Sequence, residues 1–165
     1  MSGTIDVLIS GVLLGIAATV IFDVWILLQK SLGLPALNFN FLGRWVANFK
    51  SLKFTHTAIK EAPKVKFELY VGIVAHYLIG IFIAFLLIMI NGESWLKSPD
   101  VISAILIGIA TVVFPLLIMQ PAMGAGFSFL NTAHPIKNSL KSALNHTVFG
   151  GCLYLSGLLL AKLNF

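Results

Sequence analysis

Four runs of about twenty apolar residues, each almost free of charge, constrain this chain more than any other feature. They cover roughly 7–28, 69–90, 101–119 and 140–163, and at ~1.5 Å per helical residue each can cross ~30 Å of hydrocarbon. Lipid offers no hydrogen bonds to a backbone, so runs of this length must pair their N–H and C=O groups internally, as helices. The composition agrees, since only 10% of the residues are charged where a soluble domain carries roughly a quarter. A disordered chain, a disulfide-stapled secreted domain and a cytosolic enzyme are excluded. Cys152 is the sole cysteine, which removes an internal disulfide and a thiolate metal cluster. The expected fold class is all-α: an integral membrane four-helix bundle, with residues 1–165 as a single transmembrane domain.

The basic residues predict the orientation, because cationic loops are retained on the cytoplasmic side. Lys30, Arg44, Lys50, Lys53, Lys60, Lys64, Lys66, Lys137 and Lys141 flank or lie in the first and third loops, and only Lys97 and Lys162 fall on the other face. Both termini are therefore expected in the periplasm of a bacterial inner (plasma) membrane, with both long loops cytoplasmic and the first span retained rather than cleaved as a signal peptide. The second and third spans are joined by NGESWLKSPD, a short polar hairpin turn. Within the first loop Leu42, Trp45, Val46, Phe49 and Leu52 recur at helical spacing, predicting an interfacial amphipathic helix over about 41–53. The net charge of +5 collects in that juxtamembrane loop and is explained by topology and anionic headgroups. The partner is the lipid bilayer, and no nucleic acid is expected.

Small residues four apart mark where membrane helices can approach. The stripes read Gly11, Gly15, Thr19, Asp23; Gly72, His76, Gly80, Ala84; Ala104, Gly108, Thr111, Pro115, Met119; and His146, Gly150, Tyr154, Gly157, Ala161. Three ionisable residues lie on them, and a charge at mid-membrane costs ~2.5–3.5 kcal/mol even on insertion scales. Asp23, His76 and His146 fall roughly 7–11 Å below the same boundary at ~1.5 Å per residue. They form a candidate ligand- or ion-binding constellation, with Glu68, Met119 and Gln120 at its rim and Asp23 matched by histidine. Asp23, His76 and His146 are also the groups that would hold a divalent metal ion. A purely structural polar knot is the alternative. His56 and His134 read as loop residues outside the site.

A short internal repeat relates the halves. Gly15-Ile16-Ala17 matches Gly108-Ile109-Ala110, and His76-x-x-x-Gly80 matches His146-x-x-x-Gly150, so each half is one helical hairpin and the two copies run parallel. Pro115 lacks an amide proton and is expected to kink the third span and free a carbonyl near Thr111.

Asp23 late in the first span, Arg44-Trp45 in the basic loop, His76-Tyr77 followed by Gly80, Met119-Gln120-Pro121-Ala122, and His146 with Gly150 and Tyr154 together resemble a bacterial four-span inner-membrane protein family of unknown function. The resemblance implies the four-span architecture over nearly the whole chain and transfers no activity. Function rests on the site. The leading expectation is a polytopic membrane protein whose cytoplasm-facing intramembrane polar site binds a cation, proton or small polar solute, as a transporter or channel that would need a homodimer for its path. Alternatives are a redox protein with haem b ligated by His76 and His146, and a structural or assembly subunit. Catalytic residues are not expected, because no serine or cysteine lies in a nucleophile motif.

Overall fold

The computed structural model describes residues 2–163, with side chains placed from Ile5 onward. The chain ends, and with them the expected periplasmic termini, lie outside the described residues. The described chain is helical: α1 Ser2–Ser31, α2 Phe39–Ala47, α3 Glu68–Asn91, α4 Ser94–Lys97, α5 Val101–Ala110, α6 Gln120–Ala122 and α7 Pro135–Lys162. Four stretches are long and apolar enough to cross a membrane, Ile5–Ser31, Glu68–Asn91, Val101–Ala122 and Pro135–Lys162. These are the four expected spans, with α1 and α7 extended by several residues beyond the apolar runs. Large apolar side chains such as Val24, Leu78, Ile102 and Leu159 stay more than half exposed, as lipid-facing positions should.

The third span is broken where Pro115 predicts. α5 ends at Ala110, a turn follows, and Pro115–Met119 form a π-helical turn leading into α6. Proline cannot donate to the carbonyl one turn back, so the ladder shifts register there.

Two compact units divide the chain. The span unit gathers the chain up to Ala36, Tyr77–Ala110 and the chain from His146 onward; the loop unit gathers Leu37–His76 and Thr111–Asn145. In the span unit a Cβ on Gly15 would strike the Ile81 backbone, and one on Gly80 would strike Thr19 Oγ1. The second half repeats the device. A Cβ on Gly108 would lie 2.9 Å from Gly150 Cα, and one on Gly150 would lie 2.6 Å from the Ala104 carbonyl. The matched glycines of the repeat thus make the close crossings within each hairpin, α1 on α3 and α5 on α7. Leu14, Leu87 and Leu153 are fully buried in this unit, and Phe22 meets Phe149 edge to face at 5.6 Å. The link between α3 and α5 is less polar than NGESWLKSPD suggests: α4 tucks Trp95 inward to 4% exposure, against Gly157, with its indole N–H donating to Ser103 Oγ at 2.9 Å.

The loop unit joins the two long connections. The His56 amide donates to the Ala122 carbonyl at 2.7 Å and the Ile59 amide to the Met123 carbonyl at 2.9 Å, so the first and third loops share one side, as the basic residues imply. α2 starts at an Asn38 cap whose side chain accepts from the Asn40 amide at 3.0 Å, and Gly43 lets it lie on the first turn of α3 with no room for a Cβ. The expected amphipathic helix is present and shorter, continued by a 3-10 turn over Asn48–Ser51. Its stripe packs within the unit: Leu42 is buried with Ile59 and Met123, while Trp45 and Val46 pack at the edge of that cluster. Leu52 leaves the stripe, because a left-handed φ of 54° ends the turn there and leaves it 79% exposed.

Candidate functional site

The expected site residues divide between the units. In the span unit, Asp23 on α1 and Tyr77 on α3 stand at the same level of the α1–α3 crossing, and the Tyr77 hydroxyl donates to Asp23 Oδ2 at 2.9 Å. Tyrosine therefore supplies a hydrogen bond to the intramembrane acid, a donor not expected from the sequence. The signal was present, since Tyr77 precedes Gly80 by three residues and so shares its helix face. Below the pair the stripe continues as a packed contact, with Thr19 donating its hydroxyl to the Gly15 carbonyl at 2.7 Å.

His146 does a different task. Its ring hydrogen-bonds the Gly108 backbone, and Gly108 lies in the last turn of α5, where carbonyls lack an intrahelical partner. The Thr111 carbonyl, which the proline deprives of its helical donor, accepts instead from the Phe114 amide at 3.1 Å. Cys152, on the same helix, is buried.

In the loop unit His76 is buried at 8% exposure, its ring tilted against Phe39 at 5.1 Å. Glu68, expected at the rim of a site, is committed to Arg44. The guanidinium donates from Nε to Oε2 and from Nη2 to Oε1, each at 2.9 Å, and the Val65 amide adds a third bond to Oε2 at 3.0 Å. Arg44 Nη1 also reaches the Ile59 and Ala62 carbonyls at 3.0 and 2.9 Å. A buried charge persists only when paired and hydrogen-bonded, and the bidentate fork meets both conditions. The hydrogen bond to Glu68 holds the guanidinium proton still more firmly than usual, against the opposing effect of burial. Met119 ends the π turn and packs against the Leu42 cluster. Gln120 opens α6, and its carbonyl accepts from the Ala125 amide at 2.9 Å.

Arg44 and His56 were not legible as organising residues. Arg44 reads as one of nine loop cations, and its partner lies twenty-four residues on. His56 reads as a solvated loop residue, yet it is only 8% exposed and neither ring nitrogen meets a partner at hydrogen-bond geometry. His134 is exposed, as expected. Among the described residues, no group of three or more His, Cys, Asp or Glu is placed to hold a metal ion.

Four long apolar helices, glycine-mediated crossings and an acid hydrogen-bonded at the level of a span define a multi-pass helical membrane protein. The chain belongs to a family of proteins of unknown function, DUF2938, whose match covers residues 12–160. No curated protein and no solved structure matches it.

Proposed function

We propose that this protein carries an intramembrane polar site for a proton, a cation or a small polar solute, centred on the Asp23 carboxylate. The observation that supports it is the Tyr77 hydroxyl 2.9 Å from Asp23 Oδ2, in a stripe whose other members are small and tightly packed. A carboxylate at such a depth costs ~2.5–3.5 kcal/mol, and a structural cross-link between two helices could be made by neutral groups at less cost. The acid is half-buried rather than sealed, so it can exchange its charge with what enters. A phenol can donate to a carboxylate and to a carboxylic acid alike, so Tyr77 holds the same rotamer through a protonation cycle. A proton suits this pair best.

The proposed setting is a bacterial inner membrane, with both termini in the periplasm and both long loops in the cytoplasm. The concentration of basic residues in the first and third loops supports that orientation. Accessibility of single cysteines at either end, read in intact cells with an impermeant label, tests it.

The site is tested on the full chain reconstituted into liposomes. Internal pH under an imposed gradient should respond in the wild type and go flat in Asp23→Asn. Retention of wild-type proton flux in Asp23→Asn, with cation- and solute-dependent stabilisation also unchanged, rejects the reading.

A further inference from the structure

His56 is a buried titratable group that no role described above uses. Its position is set from both sides. The His56 amide is bonded to the Ala122 carbonyl and the Ile59 amide to the Met123 carbonyl, and the Thr57 carbonyl sits where a Cβ on Gly124 would have to be. Gly124 has a φ of +94°, a conformation that only glycine adopts without strain. The corner that ends the third span is thus shaped to receive this stretch of the first loop, and the imidazole is closed in as the two meet.

The chemistry of that enclosure is one-sided. Neither ring nitrogen finds a partner of normal geometry, and the acceptor that acts on the ring, the Ala122 carbonyl, already takes the His56 amide. No charge comes from the corner, because residues 101–133 contain no Asp, Glu, Lys, Arg or His. On the loop itself Lys53 adds a positive field at the ring. Arg44 engages the Ile59, Lys60 and Ala62 carbonyls and is matched by Glu68, while Lys60 and Glu61 pair with each other in solvent at 3.9 Å. An imidazolium at this position would therefore be buried without a carboxylate to answer it, and a buried uncompensated charge is resolved by neutralisation or by exposure.

We propose that His56 is a proton-sensitive latch: as a neutral ring it lets residues 55–62 dock on the Ala122–Gly124 corner, and on taking up a proton it releases them. Burial first, and Lys53 second, lower the affinity of the docked ring for a proton, with the Ala122 carbonyl opposing. The free loop binds protons with the ordinary imidazole value near ~6.5. Docking is complete above that value and is lost as pH falls through the lower value of the docked ring, by up to about tenfold per pH unit for one proton. The latch sits immediately after the π turn at Pro115–Met119, so it ties acidity on the loop side to the end of a membrane span.

Hydrogen exchange on the full chain in zwitterionic nanodiscs reads this directly at the His56 and Ile59 amides. After correction for intrinsic rates, their protection should fall at least tenfold between about pH 7.5 and about pH 5, either side of ~6.5, while amides in α3 hold theirs. His56→Phe keeps an uncharged ring and should stay protected throughout; His56→Leu is a second neutral replacement if the larger ring does not fit. Unchanged wild-type protection across this range overturns the latch. So does a pH-dependent loss as large in either neutral variant as in the wild type, or the failure of both variants to dock at high pH.

Discussion

In the loop unit the acid Glu68 is held by two guanidinium bonds and a backbone amide, whereas in the span unit the Tyr77 phenol on α3 donates across to the acid Asp23 on α1. The difference follows what surrounds each. The loop unit has no continuous helical ladder across its connections, so it is assembled from polar contacts that reach far along the sequence, with Arg44 collecting carbonyls from Ile59 to Ala62. The span unit pairs its backbone within each helix and is left to cohere by shape, through glycines that bring helix axes together. One unit is held by directional bonds and the other by close packing, and they should fail under different substitutions.

The largest loss is expected from Arg44→Ala, which leaves Glu68 without its guanidinium and strips three loop carbonyls; removing one partner of a buried pair costs roughly 3–5 kcal/mol. Reversible unfolding in mixed micelles measures it, and Arg44→Met with Glu68→Leu together should recover much of the loss. A double variant as unstable as Arg44→Ala would show that carbonyl contacts, rather than the ion pair, carry the unit.

Next come the crossings. Gly15→Leu and Gly108→Leu must push backbone apart in the span unit, at about 1–3 kcal/mol each for overpacking and more where the backbone cannot shift. Gly151→Ala serves as the control, because its Cβ would meet nothing nearer than Ile105 Cδ1 at 3.9 Å. Equal effects at all three positions would remove the distinction between crossing glycines and ordinary ones.

Tyr77→Phe should cost less, since interhelical hydrogen bonds in membranes average about 0.6 kcal/mol and reach about 1.7. The informative number is the coupling with Asp23→Asn in a double-mutant cycle. Zero coupling would separate the two residues and weaken Asp23 as the centre of a site.

The smallest effect concerns the start of α5, where the Asp100 carboxylate accepts from the Ser103 and Ile102 amides at 2.7 and 3.3 Å. The Ser103 amide, then its hydroxyl, then Ile102 hold the Asp100 carboxyl below its ordinary value against slight burial. The cap therefore contributes fully above the unfolded carboxylate value near ~3.9, and its contribution fades as pH falls through the lower folded value. Asp100→Ala should lower the melting temperature slightly at neutral pH and cease to differ from the wild type in strong acid.

Helix periodicity made much of this legible. The third stripe was read residue by residue, and Ala104, Gly108, Thr111 and Pro115 are all buried; the break at Pro115 followed from one missing amide. The site was less legible. Asp23 could be placed on its helix face, but its donor Tyr77 had to be chosen from several polar groups on neighbouring spans. His56 could not be found at all, because a loop has no period from which to read burial.

The sequence by itself determined that there are four spans, which face of each is packed, where the third one breaks and which glycines make the crossings, because these depend on residues a few positions apart on one helix. Only the tertiary structure decided that Tyr77 binds Asp23, that Arg44 is spent on Glu68, that His146 caps the end of α5 and that His56 is closed against the Ala122–Gly124 corner. Those pairings join positions far apart in the chain, and a hydrogen bond is selected by distance and direction in space, which no local pattern of residues encodes.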